Sequence, residues 1–235
     1  MINSNEINGI EYTPGDRTCF IYFDTEFTGL RFVNSLKRKN IPIKKLQIKD
    51  TSLISIGLVD CNGKKFYAEF EDYNRSQVDN WIDENVISNL SSPENHFDEY
   101  RDYWTMTGRR EEISEKLCAW LSQYSDRRVQ FVSDVSHYNF VLLIDLIFNN
   151  PNFTDIQLPD WISPVCHDIN QDIALHLFMD ENARKKADTT DACAFTLNRE
   201  EILESFNVKL PTGIKHNSLF DAEVIRRIHQ SIWHI

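Results

Sequence analysis

The apolar run Cys19-Phe20-Ile21-Tyr22-Phe23 ends in two acids, Asp24 and Glu26. Side chains alternate along a strand, so residues two apart share a face and these carboxylates point the same way. Buried carboxylates need cations, donors or water, and two like charges side by side repel unless something positive sits between them. A hard divalent cation, which takes oxygen ligands, would meet that need. A second pattern lies near the other end of the chain, in Lys215-His-Asn-Ser-Leu-Phe-Asp-Ala222. His216 and Asp221 would diverge on one continuous helix of about 3.6 residues per turn. His216 is therefore expected in the loop before a helix, with Asn217 or Ser218 as N-cap and Asp221 in the first turn, where the dipole favours an acid. Taken alone, that pattern is a helix cap with a loop histidine.

The elements that must position these residues follow from periodicity. A strand over 18–26 leads to the segment Ser52–Phe70, where β-branched and aromatic runs flank Asn62-Gly63, a hairpin turn signal. Three consecutive antiparallel strands are predicted. Residues 76–90 and 109–124 show helical spacing, clearest in Ile113, Leu117, Trp120, Leu121 and Tyr124. Residues 129–133 predict a short strand followed by a buried helix from Tyr138 to Phe148. The stretch 150–164, with three prolines, reads as a loop, and helices are expected over 167–179, 199–206 and 218–233. Strands linked by a hairpin, then strand and helix units, predict an α/β fold with a mixed sheet flanked by helices.

Composition sets bounds. The chain has 235 residues, 41% hydrophobic and 26% charged, and is read as a folded domain over 18–235 with an N-terminal extension over 1–17. The polar N-terminus lacks a signal-peptide pattern and no run reaches membrane-spanning length, so a cytoplasmic protein without a membrane partner is expected. Cys19, Cys61, Cys118, Cys166 and Cys193 are scattered without CxxC spacing and read as reduced thiols. A net charge of -11 argues against coating nucleic acid by bulk electrostatics. Yet Arg31, Lys37, Arg38, Lys39, Lys44, Lys45 and Lys49 follow one another with no intervening acid. This is a solvated loop or a substrate-facing one.

Together, the strand-end motif FDTEFTGL and the helix-opening HNSLFDA resemble the DnaQ-like 3′-5′ exonucleases of the DEDDh type, a superfamily that includes RNase T and oligoribonuclease and has an RNase H-like fold. The segments DTEFTGL and SLISIGLV are also similar to those of small bacterial and phage exoribonuclease-like proteins. The resemblance implies that Asp24, Glu26 and Asp221 hold two Mg²⁺ or Mn²⁺ ions and that His216 is the general base. It further implies hydrolysis of single-stranded RNA or DNA from 3′ ends, RNA favoured, with release of nucleoside 5′-monophosphates. Thr25, Phe27 and Thr28 would meet the terminal nucleotide, and Lys37, Arg38 and Lys39 the strand. Homodimers are common among similar enzymes.

One position departs from the family pattern. Its middle metal-ligand slot, an Asp in the first turn of a buried helix, here holds Asn139, whose carboxamide matches a carboxylate in shape but carries no charge. Three accounts stand: Asn139 replaces Asp by engineering, Asp134 at the preceding strand end supplies the carboxylate, or the protein binds nucleic acid without cutting. A metallophosphoesterase of small nucleotides is a further alternative. Asp145 is a poorer candidate ligand. His137 reads as a turn residue, and His167, Asp168, Asp172 and His176 as a helix start rather than a second metal cluster. Tyr100, Tyr103 and Trp104, near Arg101, Arg109 and Arg110, suit either helix packing or single-strand contacts.

Overall fold

β1 (Thr18–Phe27) alternates as its sequence requires. Cys19, Ile21 and Phe23 enter one hydrophobic cluster, while Tyr22, with Phe20 packed alongside, enters another. The computed structural model describes residues 18–29, 51–90, 98–100, 102–150, 158–179 and 197–235. The N-terminal 17 residues and the basic stretch from Arg31 to Lys49 lie outside them.

β2 (Leu53–Asp60) and β3 (Lys65–Phe70) complete the expected antiparallel meander. At its turn the Asp60 carboxylate accepts from the amides of Asn62 and Lys64, both at 2.8 Å. β6 (Arg128–Ser133) pairs parallel with β1, and the two-residue β7 (His167–Asp168) pairs parallel with β6. On the far side β5 (Tyr103–Gly108) pairs parallel with β3 and antiparallel with β4 (Asp98–Tyr100). The seven-stranded order is β4-β5-β3-β2-β1-β6-β7. Its central run β3-β2-β1-β6-β7, with β2 alone antiparallel, is the RNase H-like arrangement.

Two layers of helices cover the sheet. On one face α2 (Arg110–Ser122) and α3 (Ser136–Phe148) bury Ile113, Leu117, Trp120, Leu143 and Leu146 against Ile21, Phe23 and Phe131. Each large apolar side chain so buried contributes about 1.5–3 kcal/mol. On the other face lie α4 (Ile169–Met179), α5 (Arg199–Ser205) and α6 (Ser218–Trp233), joined through Ile173, Leu203, Ile225 and Ile228.

Two expectations need correction. Residues 76–90 are not one helix but a 3-10 turn (Arg75–Gln77), the short α1 (Asn80–Asn85) and another 3-10 turn (Ile87–Asn89). The Asp79 side chain caps Ile82 N–H at 2.9 Å and starts the chain afresh. Tyr103 and Trp104 lie on a strand, and Trp104 packs in the core cluster with Ile113 and Leu117 of α2, in line with the packing alternative. His167 and Asp168 form a strand before α4 begins, not its first turn. Cys19, Cys61, Cys118 and Cys166 are free thiols, and Cys193 lies outside the described residues. No helix among the described residues is long and apolar enough to cross a membrane.

Candidate active site

The first turn of α6 rests directly on β2. Gly57, the cross-strand partner of Asp24, makes this approach feasible: a Cβ there would lie 2.3 Å from Leu219 N and 2.4 Å from its Cα. Ser55 and Ser218 hydroxyls meet at 3.0 Å beneath the turn. Asn217 is the N-cap, accepting from Leu219 and Phe220 amides at 3.2 and 3.3 Å while its own amide donates to Tyr67 Oη at 3.2 Å. Close docking of helix on strand therefore brings Asp221 to the end of β1.

His216 precedes the cap in a left-handed backbone conformation, φ 65°, uncommon for a residue with a side chain. There its amide donates to Asp221 Oδ2 at 2.8 Å. Its ring stands edge-on to Trp81, with centroids 4.9 Å apart, and Nδ1 is 3.7 Å from Glu26 Oε1. One ligand atom each from Glu26, His216 and Asp221 lies within 4.8 Å of the others. Asp24, Glu26, Asp134, Asn139, His216 and Asp221 all line one cleft of about 710 Å³.

The electrostatics are those of crowded acids. Burial, then Glu26, Asp221 and Asp134, push the Asp24 carboxyl well above its ordinary value against an opposing donor from Asn139. Asp221 is pushed up to about 7 by burial and by Glu26, although the His216 amide opposes this. The carboxylates of Asp24, Glu26 and Asp221 form an oxygen donor set that suits a hard divalent cation.

Asn139 does not add to that set as it is held. Its Nδ2 donates to Asp24 Oδ1 (2.7 Å), Asp134 O (2.7 Å) and Ser133 Oγ (3.0 Å), and its Oδ1 accepts from Thr25 Oγ1 at 2.6 Å. Nitrogen, not oxygen, therefore faces Asp24. The Asp134 carboxylate accepts from Arg199 Nε and Nη2 at 3.1 and 3.0 Å and from Asn170 Nδ2 at 2.6 Å. It lines the cleft with its charge already paired. Between them, Val135 takes φ 54°, a strained conformation for a β-branched residue, as the chain turns into α3.

Other expected site residues are dispersed. Thr25 lies under Asn139, and Phe27 lines the cleft beside Tyr138, with ring centroids 6.4 Å apart. Thr28 is fully buried; its hydroxyl bonds Gln77 Oε1 and Ser52 Oγ at 2.6 and 2.8 Å, away from the cleft. Lys37, Arg38 and Lys39 lie outside the described residues. Asp145 pairs with Arg110 at 2.6 Å on the exposed side of α3, and His176 packs on Phe206. The cleft also contains residues that sequence patterns did not single out, namely Trp81, Arg199 and Lys215. Only the N-cap Asn198 before Arg199 was a local signal, and it speaks of a helix start rather than of Asp134.

No family model matches the chain, and no curated protein matches it. Among solved structures, the chain is similar to the crystallographic structure of the nuclease domain of 3′hExo, a DEDDh family member, bound to rAMP. That similarity has 12% sequence identity and a TM-score of 0.49, and it covers 92% of this chain and 91% of the other.

Proposed function

We propose that the protein is a metal-dependent 3′-5′ exonuclease of single-stranded nucleic acid, RNA favoured over DNA, working with two Mg²⁺ or Mn²⁺ ions. The observation that carries this reading is the convergence of Asp24, Glu26 and Asp221 with His216 in one cleft. It joins the two motifs whose resemblance to DEDDh exonucleases was seen in the sequence. Divalent cations held by the three carboxylates would polarise the scissile phosphodiester and stabilise the charge on the attacking and leaving oxygens.

The remaining roles belong to side chains. His216, tethered through its amide to Asp221 and braced by Trp81, takes the proton from the attacking water. Phe27 and Tyr138 offer a stacking surface for a terminal base, tolerant of sequence because every base has a π face. Lys215 brings positive charge to the cleft that the phosphate must enter, while the charge of Arg199 is matched by Asp134. The preference for RNA rests on the sequence resemblance.

A second reading, a relative that binds nucleic acid and cuts poorly, is favoured by Asn139. Its amide nitrogen is held by three acceptors, in the slot where a carboxylate oxygen would serve a metal. Incubating the protein and its Asn139→Asp form with 3′- and 5′-labelled single-stranded RNA and DNA separates the two. Stepwise loss from the 3′ end with Mn²⁺, abolished by EDTA, is expected, with a large gain on Asn139→Asp. Binding by both forms without any product would overturn the exonuclease in favour of the second reading.

A further inference from the structure

His167, Asp172 and His229 come from β7, α4 and α6, yet one ligand atom from each lies within 4.8 Å of the others. Asp172 is 2% exposed and His229 is 3% exposed. His167 Nε2 is 2.6 Å from Asp172 Oδ2, and His229 Nε2 approaches the same oxygen at 3.7 Å, too far for a hydrogen bond. The opposite ring nitrogen of His229, Nδ1, sits 3.0 Å from the hydroxyl of fully buried Tyr22. That contact fixes the ring so that Nε2 faces the carboxylate.

We propose that these three side chains form a binding site for a transition-metal ion, Zn²⁺ by preference, separate from the carboxylate cleft. Two imidazoles and one carboxylate are donors that suit Zn²⁺ and its neighbours rather than Mg²⁺ or Ca²⁺. An ion about 2.0–2.1 Å from each atom needs ligand atoms about 3.3 Å apart in tetrahedral geometry. The 2.6 and 3.7 Å separations bracket that value, so binding would part His167 from Asp172 by about 0.7 Å and draw His229 in by about 0.4 Å. The Tyr22 contact to Nδ1 is the outer-shell hydrogen bond that a metal-bound imidazole ordinarily carries. His167, with 19% of its side chain exposed, gives the ion a way in.

The site would brace the cleft wall. Tyr22, Val132 and His167 are register partners across β1, β6 and β7, and Tyr22 precedes Asp24 on the same strand face, roughly 7 Å along it. The residue after His167, Asp168, accepts from Ser136 N and Oγ at 3.0 Å each, pinning the start of α3. Asn170 holds Asp134 and Arg199 in turn. An ion joining β7, α4 and α6 would stiffen that whole arm whether or not the cleft is catalytic.

Co²⁺, which reports tetrahedral nitrogen and oxygen coordination by visible absorption, provides the test in competition with Zn²⁺. With millimolar Mg²⁺ present to occupy the carboxylate cleft, one equivalent of tetrahedral Co²⁺ per chain is expected, displaced by Zn²⁺ but not by the Mg²⁺. Uptake should persist in Asp24→Asn, fall to background in Asp172→Asn and His167→Gln, and weaken by about 10–100-fold in Tyr22→Phe. No uptake by the unmodified protein, displacement by Mg²⁺, or loss in Asp24→Asn with retention in His167→Gln would overturn the site. Because the first two outcomes need no variant, a misfolded substitution cannot shield the proposal.

Discussion

Asp24 is the residue where the proposed function and stability conflict most openly. Its raised pKa means that the metal-free fold disfavours its charge, chiefly through burial and then through Glu26, Asp221 and Asp134. A carboxylate whose folded pKa lies above its unfolded one contributes stability at low pH that is lost as pH rises through the folded value. For Asp221 that window runs from the ordinary value of 3.8 to about 7. Metal-free protein should therefore melt lower at pH 8 than at pH 5, and added Mn²⁺ should offset the loss. In Asp24→Asn, Oδ1 can still accept from Asn139 while one repelling charge disappears. Relief of about 1–2 kcal/mol would raise the metal-free Tm by roughly 2–8 °C at pH 8 while the proposed nuclease turnover is lost. A lower Tm in calorimetry would show that the acid crowding is not what strains the fold. These acids were legible in sequence because two share a strand face and one opens a helix. The partner of Asp134 was not, since Arg199 meets it across the fold and no local pattern encodes that contact.

At the scale of elements, the approach of α6 to β2 sets the geometry of the cleft, and Gly57 is its gauge. Any Cβ there meets helix backbone rather than a flexible side chain, so the helix must move. Gly57→Ala is expected to cost about 1–3 kcal/mol of stability. Because Asp221 moves with α6, turnover should fall on the order of 100-fold, as a misplacement of about 1 Å can do. Denaturant unfolding with single-turnover kinetics would check both, and an unchanged rate would mean that α6 does not position the acid. Long elements with strong periodicity were readable in advance: the β1 to β3 meander, α2 and α6. Short ones were not. Tyr103 to Thr107 is rich in aromatic and β-branched residues, yet so short a run between Arg101 and Arg109 fits a charged surface segment equally well. The 76–90 segment has helical spacing, but capping by Asp79 breaks it after a single turn. β7 has two residues, too few for any pattern, yet it orients His167 and Asp168.

For the whole molecule, the difficulty is charge. As the proposed exonuclease, a chain of net charge -11 would have to admit a polyanion to an acidic cleft, and bulk attraction does not help it. The compensation visible in sequence is the run from Arg31 to Lys49, which directly follows the FDTEFTGL motif. If that run tracks the strand, single-stranded substrate affinity falls with salt at a log-log slope of about -0.7 per phosphate contacted. Replacing Lys37, Arg38 and Lys39 together by Ala then removes up to three contacts and flattens the slope by about 2. KM for a labelled oligonucleotide should rise at low salt and converge with that of the parent at high salt. Hydrolysis of a small phosphodiester, which needs the carboxylates but no track, should keep its rate in the same variant. Equal loss on both substrates would place these lysines and the arginine in support of the cleft itself. No change on either would leave the run as solvated surface, with Lys215 as a cation lining the cleft.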